Sequence, residues 1–448
     1  MPLTDPLEIV AQALERQAGI SDWQAQRLTR RSAQRFLISN QIETQRLVAT
    51  EQMQACIYND HPAHTAQARG ATSRILLPEE IADQAHLQHA LEEAVFIAGL
   101  TDNPPYTLPT PPMAGYSAVA TVDAALAASD EARLAALSEL SERLQAAVAA
   151  EPGIRLSSVE LFVTADEITL RSSRDIAVSR SETEIFCDLV LLASDGTQTA
   201  EYHVMPRRRR LADLNIEEVV QRAAPYARDS LRAITPSTHE GPVIISGEAL
   251  VDLFSPLIFH TSARAAYQSL SCFALGAPIC GDTSIQGDRL TFISNALLPF
   301  GQASAPFSDE GLPGERVVLI EDHHLRAWWA EQRYADYLNI RPTGSFANIE
   351  IPPGIHAVQD LLEDKESVYH LVAFSWLNPD ELTGDFVAEI KLGYRVERGQ
   401  TIPIKGGSLS GNLFEALAQV RFSRETQFTG SYTGPQALRF ERLTIAGA

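Results

Sequence analysis

The sequence predicts an α+β fold, with an N-terminal α/β portion and a glycine-rich, antiparallel β C-terminal domain against which helices pack. Three observations support this prediction. Apolar residues recur at helical spacing near the N-terminus, they alternate with polar residues around 159–163, and many short apolar runs are separated by glycine after Gly241. We see no repeat with a fixed period of about 20 to 50 residues, so a solenoid is not expected.

The first elements are a helix, short strands and a second helix. An apolar stripe from Leu7 to Leu14 has helical spacing, and Arg35–Thr50 and Cys56–Tyr58 have the composition of short strands. A helix is predicted over Pro78–Ala98, since proline suits its first turn. The following stretch, Asp102–Pro112, holds five prolines in eleven residues, so it is expected to be neither helix nor central strand and is the first candidate domain boundary.

The middle region is predicted as a helix followed by antiparallel strands. Asp130 is positioned to cap a helix whose leucine stripe runs from Leu134 to Leu144. Alternation at Val159–Val163 predicts a strand, and Ser194–Gly196 between two apolar runs predicts a hairpin, because glycine tolerates the positive φ of such a turn.

Arg207–Arg210 is a basic run between a predicted strand and a helix predicted over Asp213–Ile234. A phosphate contact and a solvated turn are the two interpretations. The solvated turn is favoured, because no aromatic residues interleave the arginines and three acidic residues (Asp213, Glu217 and Glu218) can balance them. Pro236 follows this helix and is a second candidate boundary.

The last region is predicted to be β-rich, with helices at Glu248–Ser271, around Tyr334–Leu338 and at Asn412–Val420. Its predicted strands are Val243–Ser246, Leu290–Ile293, Val317–Ile320, Phe386–Ile390, Tyr394–Glu397 and Thr401–Ile404. The two boundaries divide the chain into predicted domains 1–110, 111–235 and 236–448.

Composition disfavours two classes of partner. The 448 residues carry 36 Lys and Arg against 57 Asp and Glu, a formal charge of −21, so the overall field repels nucleic acid and anionic membranes. Hydrophobic residues make up 45% of the chain, enough for a sizeable core, and no apolar run reaches the roughly 18 residues of a membrane span. The N-terminus lacks a signal-peptide pattern and the four cysteines form no CxxC, so we expect a cytoplasmic protein.

The usual motifs of nucleotide binding, serine hydrolysis and zincin chemistry are missing from the sequence. His260 is the one weak metal candidate, because Cys272 and Cys280 follow it. Zinc needs three or four converging ligands, however, so a satisfied, partly buried histidine is the favoured interpretation. His86 and His89 are explained by the exposed face of a helix.

A series of glycine-centred signatures occupies the last third of the chain. They are Phe307–Gly311, Thr343–Gly344, Pro353–Gly354, Thr383–Asp385, Gly393–Gly399 and Ser410–Leu413. In order and spacing they resemble the TldD/PmbA family, also called modulators of DNA gyrase. The closing segment, Pro435–Gly447, is similar to the last strand of that family, and Arg69–Gly70 resembles part of its N-terminal domain.

The resemblance implies one of two kinds of subunit. TldD-like chains carry an HExxxH zinc helix and a late cysteine ligand, whereas TldE (PmbA) chains share the fold without the metal set. Here Thr261 follows His260, no second histidine follows in that helix, and no cysteine lies beyond Cys280. Threonine cannot serve as a general base near pH 7. The resemblance therefore implies a TldE-like chain with no cofactor of its own and with zinc in a TldD-like partner.

The resemblance also implies a function: a non-catalytic subunit of a TldD-type metallopeptidase that acts on unfolded peptides in peptide maturation or degradation. Strand edges and glycine turns can receive an extended peptide. Candidate groove or signature residues are Asp309, Glu310, Gly311, Thr343, Gly344, Thr383, Gly384, Asp385, Gly411 and Asn412. Two alternatives stay open. One is a stand-alone divergent peptidase that uses His260, Cys272, Cys280, Asp309 or Glu310, and the other is a non-enzymatic homodimer that binds peptides.

Overall fold

The computed structural model describes residues 5–63, 67–364 and 367–447. Residues 1–4, part of the stretch that lacks a signal-peptide pattern, lie outside the described residues. The helices are α1 (Pro6–Arg16), α2 (Pro78–Ala82), α3 (Gln84–Ala98), α4 (Ala124–Ala128), α5 (Asp130–Ala149), α6 (Ile216–Arg232), α7 (Ala249–Leu253), α8 (Ser255–His260), α9 (Ala263–Tyr267), α10 (Gln332–Leu338), α11 (Val358–Leu361) and α12 (Leu413–Leu417). Within the described ranges, none of these helices has the length and apolar character needed to cross a membrane.

The strands fall into three sheets. The strands of the first half are β1 (Asp22–Ile38), β2 (Gln41–Pro62), β3 (Gln67–Leu76), β4 (Ile154–Ser172), β5 (Ala177–Ser194), β6 (Thr199–Val204) and β7 (Arg207–Arg208). Those of the second half are β8 (His239–Ser246), β9 (Phe292–Asn295), β10 (Arg316–Glu321), β11 (His324–Leu325), β12 (Asn348–Glu350), β13 (Val368–Pro379), β14 (Asp385–Glu397), β15 (Gln400–Ile404), β16 (Ser408–Asn412), β17 (Arg421–Phe422), β18 (Thr426–Thr429), β19 (Tyr432–Pro435) and β20 (Ala437–Ala446). Helices and mainly antiparallel strands confirm the predicted α+β class.

One antiparallel sheet runs through the first half of the chain, in the order β3-β2-β1-β4-β5-β6, with β7 beside β5. It pairs β1 with β4 from Gln24 opposite Ser172 to Ile38 opposite Ser158, so the predicted segments 1–110 and 111–235 share a sheet. Helices α5 and α6 bury their apolar faces on β4 and β5, while α1 and α3 pack on β1, β2 and β3. The domain boundaries themselves stay a prediction.

The second half builds two further sheets around the largest apolar core. One has the order β11-β10-β9-β12-β19-β18. The other follows the order β13-β8-β20-β16-β14, and because β14 also pairs with β13 these five strands close into a barrel. The Gly393–Gly399 signature forms part of this barrel: it contains the end of β14 and its turn into β15, where Arg398 and Gly399 both have positive φ.

Several element predictions are confirmed in type and wrong in extent. The stretch 35–50 is not one strand, because the chain reverses at Ser39 (φ 55°) between two long strands. The helix predicted over 78–98 breaks at Asp83, whose carboxylate accepts hydrogen bonds from the first N–H groups of α3. Ser129, not Asp130, caps α5. The Ser194–Gly196 hairpin is confirmed, with Gly196 at φ 92°.

Candidate functional site

His260 is the last residue of α8, and its side chain has no exposed surface. Its Nδ1 accepts a hydrogen bond from the backbone N–H of Cys272 at 3.0 Å. Nδ1 therefore carries no proton, and Nε2 donates its proton to the carbonyl oxygen of Leu382 at 3.0 Å. Burial lowers the pKa of the ring, so the neutral tautomer persists at pH 7. Both nitrogens are thus engaged with the backbone.

The single helix predicted over Glu248–Ser271 is wrong. Phe254 and Thr261 leave the helical conformation, so the segment is divided into α7, α8 and α9. Pro256, which has no N–H to donate, stands in the first turn of α8. The Thr261 hydroxyl donates back to the carbonyl of Leu257 at 2.7 Å, and Ser262 caps α9. His260 and Thr261 therefore end one helix rather than presenting a continuous helical face.

The side chains around His260 do not fit a zinc ion. A zinc ligand must offer an unprotonated nitrogen or a thiolate, but His260 Nδ1 is taken by a backbone N–H and Nε2 is protonated. Cys272 lies with Sγ 3.8 Å from His260 Nε2, and burial raises the pKa of its thiol. Burial also raises the pKa of Cys280, to about 11. Across the described ranges, no group of three or more His, Cys, Asp and Glu residues is placed to hold a metal.

The same tautomer disfavours a cysteine nucleophile at this position. A catalytic histidine must accept the thiol proton through a free nitrogen lone pair. The nitrogen that faces Cys272 is Nε2, which carries a proton and donates it to Leu382. The His260–Cys272 contact is therefore a packing contact between an imidazole and a thiol, and the sequence alone had placed the two groups only as neighbours along the chain.

Two of the glycine signatures hold the turn that His260 contacts. Asn412 donates from Nδ2 to the Thr383 carbonyl and to the Asp385 carboxylate, both at 2.9 Å. Gly384 has a φ of 75°, and a Cβ there would lie 2.6 Å from the ring of Phe414. At Gly411 a Cβ would lie 2.4 Å from a Leu443 methyl group. These residues fix the turn 380–385 and therefore the carbonyl of Leu382.

The other signatures form a joint between the first sheet and the C-terminal region. Gln24 of β1 donates to the Glu310 carbonyl at 2.8 Å, and Arg180 of β5 donates to Asp309 at 2.8 Å. A Cβ at Gly311 (φ 88°) would lie 2.5 Å from Ile176. Thr343 and the positive-φ Gly344 pack behind this turn, with Gly344 against Ser308.

Glu310 is the most perturbed carboxyl group of this joint. One of its oxygens accepts the backbone N–H of Gln332 at 3.0 Å, at the start of α10. Burial, assisted by Glu331 and Asp309, raises the pKa of Glu310 to about 7. A role in peptide contact for these signature residues stays a prediction.

The solvated-turn interpretation of the basic run is wrong for Arg209, which is 4% exposed. Its guanidinium donates to the carbonyls of Gly301 and Gln302, at 2.8 and 2.5 Å, and pairs with Glu182. Its donors are therefore used inside the protein, and no phosphate contact is needed to explain the run. Arg207 is exposed and Arg210 pairs with Asp213 at 2.6 Å, so these two arginines agree with the solvated-turn interpretation. The two carbonyl acceptors of Arg209 lie 92 and 93 residues away in sequence, so no local pattern could indicate them.

Comparison with known proteins gives a family match for the second half of the chain. Residues 238–447 match the model of the PmbA/TldA metallopeptidase C-terminal domain. An uncharacterised protein of Methanocaldococcus jannaschii is 24% identical over 278 residues, which cover 60% of this chain and 64% of that protein. Metalloprotease PmbA of Escherichia coli O157:H7 is 28% identical over 212 residues, 46% of each chain. The matches therefore span less than two thirds of these relatives.

The fold likeness extends further than the sequence likeness. The crystal structure of TldE from Thermococcus kodakarensis superimposes with a TM-score of 0.80 at 18% identity, covering 99% of this chain and 100% of that one. At that identity the superposition shows a shared fold.

Proposed function

We propose that the chain is a non-catalytic, TldE-like subunit of a TldD-type metallopeptidase, on the premise that residues 238–447 match the PmbA/TldA metallopeptidase C-terminal domain, as the glycine signatures predict. The observation that supports this most is the engagement of both His260 nitrogens with backbone groups. Metal-assisted peptide hydrolysis needs a ligand set and a general base beside it. Here both ring nitrogens of His260 are hydrogen-bonded to backbone groups, and the next residue, Thr261, donates its hydroxyl proton to the carbonyl of Leu257 in the same helix.

The partner in this proposal is a TldD-like chain that supplies the zinc and the catalytic base. In this proposal the present chain lines the chamber in which the TldD-like partner cleaves its substrate. The chamber then admits only extended or unfolded peptides. Exposed strand edges can bind such peptides through backbone hydrogen bonds, largely independent of sequence. The four cysteines are all free thiols, which supports a cytoplasmic location in this proposal, because the cytoplasm keeps thiols reduced.

Co-expression with a TldD-like chain tests the proposal. We expect a heteromer on size exclusion, peptidase activity in the complex, and activity that is lost when the HExxxH glutamate of the partner is replaced. If the two chains elute separately at every concentration and ionic strength tried, the subunit role fails. Peptidase activity of the isolated chain would instead favour a stand-alone enzyme, and a stable homodimer that ignores the TldD-like chain would favour a non-enzymatic binding protein.

A further inference from the structure

An unpaired strand edge stands out in the first sheet. Strand β2 runs from Gln41 to Pro62 and pairs with β1 on one side. On its other side, β3 covers only Met53–Pro62. Within the described part of the chain, no strand pairs with the outer edge of Gln41–Gln52, which is about 40 Å long at about 3.3 Å per residue.

Side chains of this segment are exposed on both faces of the sheet. All but one of the residues between Gln41 and Gln52 are exposed, the exception being the half-buried Val48. Ile42 and Leu47 expose 54% and 49% of their surfaces. A long edge with exposed apolar residues, without proline or glycine, is a template for an added strand.

The charges of the edge indicate which strand would add. Glu43 and Glu51 are exposed, and each lies four residues from Leu47. The intervening arginine, Arg46, lies on the opposite face of the strand from Leu47, where its Nε donates to Gln34 at 2.7 Å and its guanidinium stacks on the Phe36 ring. The edge therefore offers an apolar centre between two free carboxylates, about 13 Å to either side.

The charge of the whole chain selects among possible occupants. A second copy would bring another −21 to the edge, so long-range repulsion opposes edge-to-edge pairing of two copies. The same field attracts a basic peptide. We infer, on the basis of the proposed function, that Gln41–Gln52 binds an extended peptide segment as an added β-strand. That segment carries an apolar side chain opposite Leu47 and basic side chains toward Glu43 and Glu51.

A direct test uses a fluorescent, threonine-rich dodecapeptide with a central leucine and a lysine four residues to either side. Its affinity for the full-length chain is compared with that for E43K/E51K and for the control E15K/E92K, which makes the same charge change on α1 and α3. We expect about tenfold weaker binding to E43K/E51K and near-unchanged binding to the control, since local complementarity sets the difference. Methylation of alternate backbone nitrogens of the peptide should weaken binding by a similar factor, because it removes the main-chain donors.

Several results would overturn the inference: equal affinity for both double variants, no effect of backbone methylation, or protection from hydrogen exchange outside 41–52. Self-association of the chain that L47K abolishes would show that a second copy covers the edge instead. Heteromer formation is measured separately. A heteromer that forms while E43K/E51K binds peptide normally would refute the edge site alone, and peptide binding at the edge without any heteromer would refute the subunit role alone.

Discussion

Replacing Glu310 by glutamine tests how the joint between the first sheet and the C-terminal region is held. The glutamine side chain can still accept the Gln332 N–H but cannot ionise. In the folded protein the pKa of Glu310 is raised from 4.5 to about 7. Ionisation is therefore harder in the folded state than in the unfolded state, so the native carboxyl lowers stability as pH rises through this interval. At about 1.4 kcal/mol per pKa unit, the loss between pH 5 and pH 8 is about 2 to 3 kcal/mol.

The assay is urea unfolding of the wild type and E310Q at pH 5, 6, 7 and 8, followed by tryptophan fluorescence. Subtracting the two curves cancels the other titrating groups. We expect the stability of E310Q relative to wild type to increase from pH 5 to pH 8 by that amount, with most of the change below pH 7. E15Q, on the exposed face of α1, serves as the control and should show no such trend. A pH-independent difference, or a relative gain by the wild type as pH rises, would refute this account of the joint.

Three further predictions follow from single residues. R209K should lower the free energy of unfolding, measured in urea, by about 3 kcal/mol. A lysine cannot replace the guanidinium that bonds two carbonyls and a carboxylate. The control R207K should lower it by less than about 1 kcal/mol. G384A should lower the melting temperature by several degrees, because Gly384 has a φ of 75° and a Cβ there would meet the Phe414 ring. G196A should lower it less, because a Cβ at Gly196 would lie in open space. Equal shifts in melting temperature would contradict the steric reason. Cys272 should be the first thiol to react with a disulfide reagent in the native chain, since the residue is exposed although its sulfur is partly desolvated beside His260. Its rate should keep rising above pH 9, because that desolvation raises the pKa of the thiol, and labelling of a buried thiol first would contradict this.

The sequence pattern within a short segment was enough to predict helices and turns that the residues of that segment themselves determine. The stripe Leu7–Leu14 folds as a helix because its four apolar residues are buried on one side, and the Ser194–Gly196 turn forms where glycine was expected. The length of β1 and β2 could not be predicted, because those strands carry many polar side chains on exposed positions. Pairing between β1 and β4 joins residues more than 100 positions apart, which no local pattern records.

The candidate site likewise combines features that could be predicted from the sequence with features that could not. That His260 is a hydrogen-bonded, structural histidine was predictable from its missing companions, since zinc needs several ligands, although the ring is fully rather than partly buried. Its hydrogen-bond partner Leu382 was not predictable, because that residue lies 122 positions away along the chain. The burial of Arg209 depends likewise on the distant carbonyl groups of Gly301 and Gln302.

The most direct test of the central claim is the zinc content of this chain, alone and in complex, measured by native mass spectrometry after purification with zinc in the growth medium. We predict no stoichiometric zinc on the isolated chain, and one zinc per heteromer that is lost when the HExxxH motif of the partner is disrupted. H260Q in the present chain should leave that zinc in place. One zinc per isolated chain, removed by H260Q while the variant stays folded by circular dichroism, would contradict the non-catalytic role.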